Sequence, residues 1–173
     1  MTAPTPSPLW LSGRVMRWHT HPRLAGTGDR LDGHHARVAQ LIIEAMAPQQ
    51  PSANLLIAAL THDAGEAVVG DLPGDFKTQM PDVAQRHALV EAVARDTIAG
   101  AFPSLTESQQ TYLRYGDRLD AYLWAQHHGE NMQLLEWRLC REEIARLAAM
   151  LGIVEDDNGG DIWAGINASE VSP

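Results

Sequence analysis

The chain has 173 residues, the length of one domain with a substantial hydrophobic core. Its 22 acidic and 13 basic residues leave a formal net charge of −9, which argues against non-specific binding to duplex nucleic acid or to an anionic membrane. The single cysteine, Cys140, excludes an internal disulfide and a zinc site built from several thiolates, and it favours a reducing compartment. No apolar run has the length of a membrane span. We therefore expect a cytoplasmic protein. Any phosphate-binding groups should be confined to one local site and not spread over a basic surface.

Helical periods joined by short polar breaks run along residues 1–154, and no segment alternates with the period of a strand, so we expect one all-α helical bundle. Residues 155–173 are acidic and nearly aperiodic and predict a loosely ordered tail, in which Ile162 and Trp163 could dock on the same chain or on a neighbour. The predicted helices, in chain order, cover residues 8–16, 32–47, 52–69, 81–101, 104–127 and a final segment that follows Gly129 and ends near Leu151. Loops are predicted at residues 18–31 and 71–80.

Several helix starts are predicted from their capping residues. Ser7 before Pro8 and Ser52 before the third helix are typical N-caps. Asp32 or Gly33 could cap the second helix. Ser104, with Glu107 three residues later, has the spacing of a capping box.

The third predicted helix carries ionisable residues on a face that is otherwise apolar. His62 and Glu66 continue the inward line of Leu55 and Ala59, and Asp63 lies beside it. An adjacent His-Asp pair offers a neutral imidazole and a hard carboxylate to one cation. Glu66 follows where a metal-bound water would need a proton acceptor, although a His-Asp pair near a helix end is more often a capping or solvated pair than a pair of ligands.

Two other helices also place ionisable residues inward. His34 shares a stripe with Val38 and Ile42, although a small shift of the helix start would make His35 the buried residue. Asp117 lies in line with the apolar residues of the fifth helix. An unpaired buried charge costs on the order of several kcal/mol, and a shared cation would remove that cost. The alternative is structural: a hydrogen-bonded core histidine, and an aspartate that pairs with a nearby arginine, for which the candidates are Arg114 and Arg118.

Taken together, these residues resemble the HD-domain metal-dependent phosphohydrolases. More specifically, they look like the branch that contains 5′-deoxynucleotidases and the related small phage-type deoxynucleoside triphosphohydrolases. It spans residues 17–122 and rests on five segments: Arg17-Trp18, residues 33–39, His62-Asp63-Ala64-Gly65-Glu66, Gly70-Asp71-Leu72-Pro73 with Lys77, and residues 116–122. The family usually has Glu-His-Ser at its first ligand histidine, whereas this chain has Gly33-His34-His35.

The resemblance implies a metal site and a substrate site. The implied metal ligands are His34, His62, Asp63 and Asp117. Glu66 and Asp63 would be the catalytic residues, Arg17 would hold phosphate and Trp18 would stack on the base. The loop that approaches the deoxyribose would comprise Asp71, Leu72, Pro73 and Gly74, and Lys77, the only lysine, would neutralise phosphate oxygens. A mixed nitrogen and oxygen ligand set suits one divalent ion, with Co, Mn, Zn, Fe and Mg all possible.

We therefore expect metal-dependent hydrolysis of 2′-deoxynucleotide phosphates. Two reactions remain open: a 5′-deoxynucleotidase that acts on monophosphates, and a triphosphohydrolase that releases tripolyphosphate. A catalytically silent nucleotide-binding sensor or assembly module is the alternative, and the presence of Glu66 argues against it. A two-metal signalling phosphodiesterase would need further ligand histidines, for which only His87, His127 and His128 remain downstream. The resemblance also implies a homo-oligomer.

Overall fold

A computed structural model describes residues 5–72 and 74–153, so the predicted tail and Pro73 lie outside the described residues. Within these ranges the only regular elements are helices, together with one isolated bridge between Met16 and Arg30, which confirms the all-α prediction. The helices are α1 (Pro8–Ser12), α2 (Leu31–Met46), α3 (Ala53–Ala59), α4 (Glu66–Val69), α5 (Gly74–Gln79), α6 (Pro81–Ala99), α7 (Glu107–His127) and α8 (Leu135–Leu151). None of the helices described is both long and apolar enough to cross a membrane.

The predicted continuous helix over residues 52–69 is wrong, although its N-cap is right. The Ser52 side chain accepts a hydrogen bond from the backbone of Leu55, but α3 ends at Ala59 and a turn leads to α4. At Gly65 the backbone of α6 comes so close that an added Cβ would lie 2.2 Å from the carbonyl oxygen of Glu91. The break therefore lets the chain pass closely beneath α6, and only glycine fits at the crossing.

Three other predicted boundaries need correction. Helix α1 ends at Ser12 and not at residue 16, because Met16 pairs with Arg30 across the following loop. The predicted loop 71–80 contains α5. The capping box of α7 is formed by Thr106 and Gln109, two residues after the predicted pair. The side chain of each residue accepts a hydrogen bond from the backbone N–H of the other. The Thr-x-x-Gln spacing fits the capping-box motif as well as the predicted Ser-x-x-Glu spacing does.

The core lies between α2, α7 and α8 and places the helices that carry His34 and Asp117 side by side. One buried cluster joins α7 to α8 and includes Tyr115, Leu119 and Ile144. A second joins α2 to α3 through Val38, Ile42 and Leu55. Helices α2 and α7 cross at Gly116, where an added Cβ would lie 3.2 Å from the carbonyl oxygen of Val38. This close crossing brings the residue after Gly116 next to the start of α2.

Candidate metal centre

The four predicted ligands lie together, although they come from three parts of the chain. His34 is on α2, His62 and Asp63 are in the turn between α3 and α4, and Asp117 is on α7. His34 Nε2 lies 3.3 Å from Asp63 Oδ2 and 3.5 Å from Asp117 Oδ1. His62 Nε2 lies 3.2 Å from His34 Nε2 and 3.3 Å from Asp63 Oδ2. One ligand atom from each of the four residues lies within 4.8 Å of all the others.

The other ring nitrogen of each histidine has an acceptor. His34 Nδ1 donates to Asp120 Oδ2 at 2.6 Å, and His62 Nδ1 donates to the carbonyl oxygen of Ala59 at 3.0 Å. In the neutral imidazoles both Nε2 lone pairs therefore face the same point. Two lone pairs 3.2 Å apart repel unless a proton or a cation lies between them. This nitrogen and carboxylate set fits one divalent cation.

The pKa shifts within the cluster also indicate that it needs a positive charge. Burial and then the charge of Arg17 lower the pKa of His34, but hydrogen bonds with surrounding carboxylates outweigh both and raise it to about 10. Burial raises the pKa of Asp117, while hydrogen bonds with His34 and His62 hold it well below its usual range. In the absence of a cation, a proton on His34 therefore supplies the positive charge that stabilises the surrounding carboxylates.

A buried ion-pair network supports His34, and no sequence pattern indicated this network. Asp120 and Asp29 are 2% and 1% exposed. Arg37 bridges them, with Nε donating to Asp120 and Nη2 donating to Asp29 at 2.8 Å. Arg17 Nη1 lies 3.3 Å from both carboxylates. Asp120 lies about one helical turn after Asp117, so the helical period could have indicated that it faces the same way. Asp29 lies in a loop without a helical period, so no pattern indicated its burial.

Arg17 and Trp18 meet at this network. Burial lowers the pKa of the Arg17 guanidinium, but the charges of Asp63 and Asp117 help to keep it raised, which places this group within electrostatic reach of the cluster. The Trp18 indole N–H donates to Asp29 at 2.9 Å, and its ring centroid lies 6.2 Å from that of Trp137. Trp18 has φ 61°, a left-handed conformation that costs free energy in a non-glycine residue. The base-stacking role of Trp18 stays a prediction.

Glu66 lies beside Asp63, together with Glu91, which no sequence pattern indicated. Carboxylate oxygens of Asp63, Glu66 and Glu91 lie within 4.8 Å of one another, with Glu91 contributed by α6. Burial, followed by the charges of Asp63 and Asp71, raises the pKa of Glu66 to about 9. His87 contacts Glu91, with Nδ1 3.6 Å from Oε2, and is not one of the four clustered ligands.

The predicted sugar loop lies beside Glu66. Gly70 ends α4 with φ 74°, a conformation that suits glycine, and turns the chain towards Asp71 and Leu72. Lys77, on α5, donates to Asp71 Oδ1 at 2.9 Å. The structure thus pairs Lys77 with Asp71, and Gly74 begins α5.

A cavity of about 530 Å³ adjoins the cluster. His62 and Asp117 form part of its wall. The remaining lining comes from the α6–α7 connection and from α7: Phe102, Pro103, Ser104, Leu105, Gln110, Leu113, Arg114 and Arg118. The structural alternative, in which an arginine neutralises Asp117, does not apply to Arg114, because it pairs with Glu143 at 2.6 Å.

Residues 34–133 match the family model described as 5′-deoxynucleotidase YfbR-like. The match begins at His34 and covers more than half of the chain, including all four clustered ligands and Glu66, whereas Arg17 and Trp18 precede it. Searches of curated proteins and of solved structures find no match to the chain. The matched stretch contains the α2, α3–α4 and α7 segments that form the cluster, and the chain belongs to the YfbR-like family of 5′-deoxynucleotidases, which are deoxynucleotide phosphohydrolases.

Proposed function

We propose that this protein hydrolyses the 5′-phosphate ester of 2′-deoxynucleotides, with one divalent cation bound by His34, His62, Asp63 and Asp117. The observation that carries the proposal is the approach of four ligand atoms to within 4.8 Å of one another inside the stretch that matches the family. A divalent ion bound there would polarise the phosphoryl group and lower the pKa of the attacking water.

The phosphate is held from the network side by Arg17. Both of its ion pairs use Nη1, so Asp29 and Asp120 fix the guanidinium without occupying its other nitrogens. A guanidinium held in this way binds non-bridging phosphate oxygens and stabilises the charge that develops on them during the reaction.

Glu66 moves the proton in this proposal. Its raised pKa lets the carboxyl group hold a proton near neutral pH, and a positive charge next to Asp63 would favour the ionised form. A group balanced between the two forms can accept a proton from water and deliver one to the leaving O5′ oxygen.

The sugar is recognised by the loop at Asp71. Its carboxylate can accept a hydrogen bond from a 3′-hydroxyl, and Lys77 holds that carboxylate at 2.9 Å. Leu72, which follows Asp71, would leave little room for a 2′-hydroxyl, and Trp18 would stack on the base. Equal kcat/KM for ribonucleotides and deoxynucleotides would contradict this part of the proposal.

The test is a panel of deoxynucleotides and ribonucleotides assayed for released phosphate and tripolyphosphate with Mn²⁺, Co²⁺ and Mg²⁺. The variants His34→Ala and Asp117→Ala should lose both bound metal and activity, whereas His128→Ala, at the exposed end of α7, should lose neither. If His35→Ala loses metal while His34→Ala retains it, the ligand assignment is wrong. A wild-type protein that binds deoxynucleotide but releases no product would instead be a sensor.

We further propose that copies of the chain associate through α6. Leu89, Val90 and Val93 form one stripe and are 66%, 56% and 69% exposed. Arg86 precedes the stripe and Asp96 follows it, so two antiparallel α6 helices related by a two-fold axis would place Arg86 of each copy opposite Asp96 of the other. Val93→Glu should yield monomers in analytical ultracentrifugation. The matched variant is Leu139→Glu on α8, and dissociation by that variant alone would contradict the α6 interface.

A further inference from the structure

The cavity next to His62 and Asp117 combines an apolar wall with positive charge. The charge comes from Arg114 and Arg118, which lie one helical turn apart on α7. The apolar lining comes from the α6–α7 connection and the first half of α7: Phe102, Pro103, Leu105 and Leu113. A cavity of about 530 Å³ is within the range of small-molecule sites and can hold a large aromatic side chain. A fitting occupant therefore carries negative charge next to a bulky apolar group.

The two arginines of the cavity differ in what they already bind. Arg114 pairs with Glu143 of α8 at 2.6 Å, and Glu143 also contacts Arg146, so the Arg114 guanidinium is held in position. Arg118 is exposed and forms no salt bridge with any residue in the described ranges 5–72 and 74–153. The planar guanidinium of Arg118 is therefore available to a carboxylate from another part of the chain.

The last described helix ends close to this cavity. Cys140 Sγ, on α8, donates to the carbonyl oxygen of Arg118 at 3.7 Å. About one turn later on α8, Glu143 pairs with Arg114, which lies one turn earlier on α7, so the two helices run antiparallel. Leu151 ends α8 eight residues after Glu143, and Arg118 lies four residues beyond Arg114 in the opposite direction. At 1.5 Å per residue, the end of α8 is therefore about 18 Å from Arg118 along the helices.

The tail, residues 155–173, has the composition that this cavity favours and the length to reach it. It contains five acidic residues and no lysine, arginine or histidine. Three of the acidic residues are consecutive, at positions 155–157, and Trp163 follows six residues later. Trp163 lies 12 residues after Leu151. An extended chain of that length spans about 40 Å, which is more than the distance of about 18 Å to Arg118.

We propose that the tail docks in this cavity of its own chain. The carboxylates of residues 155–157 pair with Arg114 and Arg118, and the Trp163 indole packs against Phe102. A buried indole covers about 150–250 Å² of surface, whereas exposed ion pairs contribute little, so the apolar contact holds the tail and the charges direct it to this cavity. A segment tethered to its own site binds at an effective concentration of about millimolar, well above that of a neighbour's tail in dilute solution.

A docked tail would cover the metal cluster from the side of the cavity, because His62 and Asp117 form part of the cavity wall. A deoxynucleotide that approaches the cluster would have to displace the tail, which makes the tail an autoinhibitory segment. This consequence rests on the proposed function, because it is observed as a change in turnover. The docking itself does not depend on which reaction the cluster performs.

Disulfide formation in the full chain tests the docking. Ser104→Cys, which lines the cavity, is combined with Ile162→Cys in the tail, and copper phenanthroline is the oxidant. The single variants measure any background from Cys140. We expect a disulfide within one chain, formed at least fivefold faster than in the same protein with Arg118→Glu. The matched control is Arg138→Glu, which changes an exposed arginine of α8 that does not line the cavity and should leave the rate unchanged.

A second variant changes the tail alone and leaves the helices as they are. Asp156→Asn combined with Asp157→Asn should slow the disulfide at least threefold. The docking is overturned if neither charge change slows the disulfide, or if no disulfide forms. A disulfide that forms only between two chains would assign the cavity to the tail of a second copy and overturn docking within one chain.

Turnover tests the covering of the cluster. Trp163→Ala should raise kcat/KM for a deoxynucleotide at least threefold, mainly by lowering KM, because the tail would no longer compete with the substrate. The control Trp10→Ala, which removes a tryptophan of α1 that is 55% exposed, should match the wild type. Equal kcat/KM for Trp163→Ala and the wild type would overturn the autoinhibitory role. If no deoxynucleotide is hydrolysed, the proposed function fails, while the disulfide measurement still tests the docking.

Discussion

The Asp120→Asn variant tests whether the buried network sets the strength of metal binding. Asp120 accepts hydrogen bonds from His34 Nδ1 at 2.6 Å, from Arg17 Nη1 at 3.3 Å and from Arg37 Nη2 at 3.1 Å. An asparagine keeps nearly the same volume but has one acceptor oxygen, and its NH₂ group would face donors. The substitution therefore removes a charge and leaves at least one buried donor without its partner.

Two magnitudes follow from this geometry. Loss of the carboxylate that orients a ligand histidine typically costs about 10- to 100-fold in metal affinity. Breaking a buried ion pair by removal of one partner costs about 3–5 kcal/mol of stability, and Asp29 remains to neutralise one of the two arginines. We therefore expect metal affinity to fall within that range and the free energy of unfolding without metal to fall by about 3 kcal/mol, at the lower end of the estimate.

Metal affinity is measured by Mn²⁺ calorimetry, and stability by urea unfolding in the presence of a chelator. The control is Glu142→Gln, which removes an exposed carboxylate of α8, and it should change stability by less than about 1 kcal/mol. Asp120→Glu restores the charge and should recover part of the lost affinity. An Asp120→Asn protein with Mn²⁺ affinity within twofold of the wild type would refute the reasoning.

Three further predictions address single residues. Glu66→Gln should retain metal and bind deoxynucleotide normally but hydrolyse it about 10²–10⁴-fold more slowly, and a wild-type rate in single-turnover assays would leave Glu66 without a role in proton transfer. Gly65→Ala should destabilise the protein by about 2 kcal/mol or more in urea unfolding, because the new Cβ would lie 2.2 Å from the Glu91 carbonyl oxygen. In the control Gly26→Ala the new Cβ would meet nothing within 4 Å, so this variant should be nearly as stable as the wild type. Burial raises the pKa of the Cys140 thiol to about 11. Its reaction with a disulfide reagent should therefore be slow at pH 8 and should accelerate about tenfold for each pH unit up to that pKa. A reaction rate like that of free cysteine would contradict the burial of the thiol.

The helical class and the identity of the clustered residues were predictable from the sequence. Helical periodicity depends on residues three and four positions apart, so His34 and Asp117 were identified as inward-facing without knowledge of any partner. His62-Asp63 stood out through its resemblance to a known motif. The break before Gly65 was not predictable, because it depends on the close passage of α6, whose Glu91 lies 26 positions later in the chain.

The contacts around the cluster depend on the tertiary structure. Arg17 and Asp120 are 103 residues apart and meet only because the loop before α2 packs against α7. The same folding pairs Arg114 with Glu143 on α8, although Asp117 lies closer to it in sequence, and leaves Arg118 facing the cavity. Local sequence determines which side of a helix faces the core, whereas the partner of a buried charge is determined by which helices cross and how closely their backbones approach.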